Sequence, residues 1–179
     1  MIKLHLGCGS KNFGNKWTHI DGADYDHLDG EDITKLKFKD RSVDIIYASH
    51  VFEYFDREKA VSVLNEWFRV LKVGGILRIA VPDFHQISKL YINGEYPLSR
   101  FLGPLYGKMP MSNETIYHKT VYDFDSLSTL LKSVGFNSIK KYNWRETDHS
   151  HIDDCSQAYL PHMNKDKGTL ISLNVESTK

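Results

Sequence analysis

Apolar residues along the chain fall into short runs and one long periodic stretch, and these predict the elements. Leu4–Leu6 is a brief apolar run that ends in Gly-Cys-Gly, and 17–21 (WTHID) is a second. Val43–Ala48 (VDIIYA) is β-branched and apolar almost throughout, as a strand buried on both faces should be. Residues 57–71 place apolar side chains at 60, 61, 64, 67, 68 and 71, a helical spacing that Gly74-Gly75 should stop. Residues 76–81 (ILRIAV) read as another buried strand closed by Pro82. Strand, helix, strand in that order predicts a parallel pair with a right-handed crossover.

The second half has a different texture. Residues 84–92 fit a short helix, whereas 93–122 are rich in Gly, Pro, Ser, Tyr and Met and read as a lid-like segment. Its aromatic and Met side chains fit either a substrate cover or packing against an uncovered sheet face. Residues 123–134 open on Asp, line up Leu127, Leu130 and Leu131, and meet Gly135 as a C-cap. Residues 136–142 and 170–175 are strand-like and suit an antiparallel C-terminal edge. The expectation is one α/β domain over 1–179 with 93–122 inserted.

Strand ends carry the chemistry. The Gly7-Cys8-Gly9 turn after the first strand lets a ligand approach main-chain N–H groups closely. Asp21, at the tip of the second run, can accept both hydroxyls of a ribose. Asp32 can accept from an adenine amino group, and Ile33, Leu36 and Phe38 offer apolar walls.

Composition narrows the setting. Lys plus Arg and Asp plus Glu are both 23, which argues against a nucleic-acid partner. The longest apolar runs are about seven residues, far short of the roughly 20 of a membrane span. The N-terminus reads as a strand rather than a signal peptide, and two cysteines make no disulfide scaffold, so a cytoplasmic setting is expected.

Taken in order, Leu6-Gly7-Cys8-Gly9, Asp21, Asp32-Ile33, 42–54 (SVDIIYASHVFEY), Leu64-Asn65-Glu66, 69–75 (RVLKVGG) and Val81-Pro82-Asp83 resemble the successive motifs of class I S-adenosylmethionine-dependent methyltransferases. More narrowly, the chain resembles small methyltransferase-type proteins associated with surface-polysaccharide synthesis. The resemblance implies a Rossmann-like methyltransferase fold and S-adenosylmethionine as cofactor. Gly7, Cys8 and Gly9 would border its methionine part, Asp21 its ribose, and Asp32 and Ile33 its adenine. Ala48, Ser49 and His50 would lie near the sulfonium and the acceptor. The acceptor implied is a small molecule or saccharide, methylated on oxygen or nitrogen. Two departures stand out. The first strand carries His5 where an acid is common, and His5 is read as a strand residue. The stretches 9–17 and 21–32 are too short for crossover helices, since a parallel connection normally needs a dozen residues or more. The first helices should therefore be vestigial, leaving the lid to 93–122 or to a second subunit, and a bared sheet face makes a homodimer plausible.

Proton removal from an acceptor calls for a base near neutral pH, and the candidates in order are His50, His118 and His149. His149, His151, Asp153, Asp154 and Cys155 have zinc-binding residue types but a spacing that fixes no ligand geometry, so no metal is expected. A nucleotide-dependent dehydrogenase would want a third glycine where the chain has Asn12. The remaining alternative is a catalytically inactive cofactor-binding domain acting in assembly or regulation.

Overall fold

The structure is a computed structural model that describes residues 1–111 and 114–179, so Ser112 and Asn113 of the lid-like segment lie outside the described residues. Three strands come first: β1 (Lys3–Leu6), β2 (Thr18–Ile20) and β3 (Val43–Ser49). Next come α1 (Arg57–Val70), β4 (Leu71–Pro82), α2 (Phe84–Ile92) and α3 (Leu102–Tyr106). A small hairpin, β5 (Met109–Pro110) with β6 (Thr115–Ile116), leads to α4 (Phe124–Val134) and β7 (Asn137–Lys141). The chain ends in β8 (Tyr159–Leu160), β9 (Thr169–Leu170) and β10 (Ser172–Thr178).

The central sheet has the order β2-β1-β3-β4-β10-β7. Strands β1 to β4 pair in parallel. β10 runs against both β4 and β7, which gives the expected antiparallel edge. Neither 7–17 nor 21–42 contains a helix, so the shortened crossovers are real. α1 stops at Val70 instead of running on toward Gly74, because Leu71 already has extended backbone and pairs with Val43. The two glycines sit instead where the β3–β4 register shifts.

The two faces of the sheet are built differently. Leu4, Leu6, Ile46, Ala48, Leu77, Ile79 and Leu173 join Leu64, Trp67, Leu127 and Leu131 of α1 and α4 in the main apolar core. Across the other face, His5, Tyr47, Arg78 and Glu176 form one register row. Such a row cannot lie under an apolar helix face, because its polar groups need partners. The loop at 143–157 supplies them. Tyr47 donates to Asp154 Oδ2 at 2.5 Å, and Asn174 Nδ2 donates to Ser156 O at 2.9 Å. Phe13 stacks between His5 and His149 at centroid distances of 3.9 and 4.3 Å. This face is therefore covered from within, and the argument for a homodimer from a bared sheet loses its basis. The segment 93–122 does not lie on it either. Phe101 packs with Ile87, Leu90 and Ile171 in a second small core.

Candidate functional site

Local backbone builds the site first. Gly7 and Gly9 both have left-handed φ, +64° and +51°, which turns the chain sharply off the end of β1. Gly7 N–H donates to Ile20 O at 2.8 Å, tying the turn to β2. Asp21 completes it: Oδ2 accepts from Gly9 N–H at 2.7 Å and Oδ1 from Ala23 N–H at 2.8 Å. Each carboxylate oxygen keeps further acceptor capacity toward a ligand.

The segment 31–41 has no regular structure, so its backbone groups must bond elsewhere. Helix α1 provides the partners. Trp67 Nε1–H donates to Ile33 O at 2.8 Å, and Glu66 Oε1 accepts from Leu36 N–H at 2.7 Å. Arg69 donates to Phe38 O at 3.0 Å and to Leu36 O at 3.2 Å. Asp32 Oδ1 accepts from both the backbone and the hydroxyl of Thr34 at 2.7 Å, and the hydroxyl bond holds this carboxyl below its usual range.

These pieces meet at the carboxyl ends of β1, β2 and β3 around an open cavity of about 790 Å³. Gly7, Cys8, Gly9, Asp21, Asp32, Ile33, Ser49 and His50 all line it, whereas Ala48, Leu36 and Phe38, also expected near the cofactor, do not. Met109, Met111, Ile116 and Lys119 from the 93–122 segment line the cavity as well. Tyr54 and Cys155 also line the cavity, a place the sequence reading assigned to neither. Both thiols stay protonated near neutral pH, because burial pushes Cys8 up to about 12 and Cys155 to about 11.

His50 leaves β3 with φ +51° and lines the cavity, and its two ring nitrogens face Ser172 and Glu53. Asn174 Nδ2 donates to Ser156 O, so Asn174 Oδ1 is the acceptor for the Ser172 hydroxyl at 2.9 Å. Ser172 Oγ has then spent its hydrogen, and at 3.0 Å from His50 Nε2 it accepts from that nitrogen. His50 Nδ1 lies 3.5 Å from Glu53 Oε1. In this arrangement Nε2 carries hydrogen and cannot take a proton, while Nδ1 lies beside the buried Glu53 carboxyl. Burial and the nearby His118 push His50 down to about 3, so the ring is neutral.

The other two candidate bases lie apart from the cavity lining. His118 sits behind Tyr54, with its Nδ1 3.1 Å from Pro104 O and its Nε2 3.7 Å from Glu53 Oε1. His149 is buried between Phe13 and Tyr47, and its Nδ1 faces Asp148 at 3.2 Å. His5 is 1% exposed and packs in the same aromatic cluster, at the floor of the cavity. Among the described residues no group of three or more His, Cys, Asp or Glu is placed to hold a metal ion. No described helix is long and apolar enough to cross a membrane.

Comparison with known proteins points the same way. Residues 4–79 match a family described as "Methyltransferase domain". A comparison with curated proteins finds no match. Among solved structures, a SAM-dependent methyltransferase from Methanosarcina mazei superposes with TM-score 0.59 at 17% identity, covering 99% of this chain and 92% of that one. One from Archaeoglobus fulgidus gives 0.58 at 14% identity, covering 99% and 86%. A possible histamine N-methyltransferase from Thermotoga maritima gives 0.57 at 16%, covering 99% and 81%. Residues 4–79 thus match a methyltransferase domain, and the whole chain shares the fold of the S-adenosylmethionine-dependent methyltransferases on which it superposes.

Proposed function

We propose that the cavity holds S-adenosylmethionine against the glycine turn and transfers its methyl group to an amine-bearing small molecule or saccharide. The observation that carries this reading is the convergence of Gly7, Gly9, Asp21, Asp32, Ile33, Ser49 and His50 on one cavity. The fit is good on independent grounds. A Cβ at Gly9 would meet nothing within 4 Å, so the turn faces open space that a ligand can enter. The cavity volume lies within the range of roughly 300–1,000 Å³ of small-molecule sites. Asp21, Glu31, Asp32, Asp56 and Asp154 line it against Lys11, Lys59 and Lys119, an acidic balance that suits a ligand with ammonium and sulfonium cations.

In this reading Gly7, Cys8 and Gly9 border the methionine part, Asp21 the ribose, and Asp32 and Ile33 the adenine. Ser49 and His50 face the methyl-bearing end. When bound, the cofactor supplies an electrophilic methyl whose leaving thioether needs no acid. The arm carrying Met109, Met111, Ile116 and Lys119 acts as the cover and limits water access.

The state of His50 narrows the acceptor. A sugar hydroxyl must lose a proton to a positioned base as it attacks. An amine attacks through its own lone pair and sheds its proton afterwards to solvent at the open mouth. With His50 Nε2 spent on Ser172 and burial leaving the ring weakly basic, the site favours nitrogen over a neutral hydroxyl. An amino sugar would unite this chemistry with a role in surface-polysaccharide synthesis.

Calorimetry with S-adenosylmethionine and S-adenosylhomocysteine on wild type and Asp21→Ala tests the cofactor site. Micromolar binding that weakens at least tenfold in the variant is the expected result, and no binding by wild type sinks the reading. Transfer of labelled methyl to a panel of amines, amino sugars and neutral sugars then tests the acceptor. Faster turnover of neutral sugars would refute the nitrogen preference. Cofactor binding with no acceptor methylated would favour a regulatory domain.

A further inference from the structure

Glu53 lies in the 3₁₀ turn Phe52–Tyr54, with its side chain 0% exposed and neither carboxylate oxygen hydrogen-bonded. No Lys or Arg forms an ion pair with it among the described residues; its neighbours are His50 Nδ1 at 3.5 Å and His118 Nε2 at 3.7 Å, both facing Oε1. The protonation of those two nitrogens follows from their far sides. His50 Nε2 carries hydrogen because it donates to Ser172, so Nδ1 of the neutral ring is a bare lone pair. His118 Nδ1 faces the Pro104 carbonyl, which can only accept, so His118 Nε2 is bare as well. Two lone pairs thus converge on one carboxyl oxygen. An ionised carboxylate there would be buried, without a donor and repelled from both sides.

We propose that Glu53 is a positioning residue that works as a neutral carboxylic acid, its proton bridging His50 at the end of β3 to His118 on the arm. One proton then satisfies what three acceptors cannot. The arm is already anchored here through its backbone, since Lys119 and Thr120 N–H donate to Glu53 O at 2.8 and 3.2 Å. The side-chain proton adds the alignment that sets His118, Tyr54 and the wall bearing Ile116 and Lys119 against the cavity. The other titratable groups facing Glu53 are Tyr54, Tyr122 and Cys155, and burial raises all three, so they stay uncharged near neutral pH. Burial lifts Glu53 itself to about 8, in agreement with the geometry.

The test separates a neutral donor from an anionic carboxylate. Glu53→Gln keeps a donor and cannot ionise, whereas Glu53→Leu removes both functions. Infrared difference spectra at pH 7 should contain the carbonyl stretch of a protonated carboxylic acid, absent from Glu53→Gln. S-adenosylhomocysteine affinity of wild type should fall about tenfold between pH 7 and 9, as the protonated fraction falls, while Glu53→Gln stays flat and near the wild-type value at pH 7. Absence of the band at pH 7, or a Glu53→Gln variant as weak as Glu53→Leu, would overturn the proposal. The affinity readout rests on the cavity being the cofactor site; the infrared readout does not, so the two readings can fail separately. It also decides the matter if Glu53→Leu does not fold.

Discussion

The two glycines of the first turn should respond unequally to the same substitution. Both hold left-handed φ, so alanine at either costs about 1–2 kcal/mol, offset by about 0.4–1 kcal/mol from a stiffer unfolded chain. At Gly7 the new Cβ would also overlap Val51 Cβ and its Cγ2, with Cγ1 at 2.7 Å. Val51 cannot swing its own Cβ away without moving the backbone that carries His50. Overpacking of this kind adds about 1–3 kcal/mol. Gly7→Ala should therefore lose about 2–4 kcal/mol, a drop in Tm on the order of 10 °C at about 2–4 °C per kcal/mol for this size. At Gly9 the Cβ meets nothing, so Gly9→Ala should lose only about 1 kcal/mol and a few degrees. That methyl enters the cavity, however, and S-adenosylhomocysteine binding should weaken at least tenfold, about 1.4 kcal/mol. Differential scanning calorimetry and titration calorimetry on the same preparations read both effects. Wild-type affinity in Gly9→Ala would mean that the ligand does not approach this turn. Equal Tm values for the two variants would refute the packing argument.

Trp67→Phe should cost about 2–3 kcal/mol, from the smaller ring and the Ile33 carbonyl left without its donor, and should weaken cofactor binding through the loosened 31–41 segment. An unchanged Tm and affinity would show that α1 does not hold that wall. Stability should also fall as pH drops below about 6.5, because burial lowers the pKa of His5, His19 and His149 and the unfolded chain takes up protons that the fold excludes. Glu53 acts in the opposite sense: raised from 4.5 to about 8, its contribution is full at low pH and is lost as pH rises through about 8. Denaturant midpoints measured from pH 5 to 9 should therefore fall on both sides, and Glu53→Gln should flatten the alkaline side alone.

The helix-covered half of the molecule was readable because its signals are local. Apolar runs gave β1, β3 and β4; helical spacing gave α1; and the Asp123 cap with Gly135 bracketed α4. The short linkers announced the missing crossover helices. What replaces them was not legible, because it depends on single polar contacts over long separations. Tyr47 and Asp154 are 107 residues apart, and no periodicity marks either as a partner. The candidate cofactor residues were found because glycines and acids at strand ends fall together whenever the strands are parallel. The histidines were harder. His50 and Glu53 are visibly one turn apart, but His118 arrives from a segment without periodicity, and its meeting with Glu53 is settled only by how Pro104 and the arm fold back.

The insertion of β10 between β4 and β7 bears on how the chain is made. Synthesis delivers β1 to β4 and both covering helices first, yet β4 and β7 each lack the neighbour that will separate them. The pairing of Thr178 with Ile76 spans about a hundred residues and cannot form until nearly all of these 179 residues have emerged. Until then the twelve-residue β4 presents an open edge rich in Ile, Leu and Val, a template for pairing with other nascent chains. Ribosome-stalled intermediates shorter than about 170 residues should therefore remain protease-sensitive and chaperone-bound, and the sheet should close in one late step.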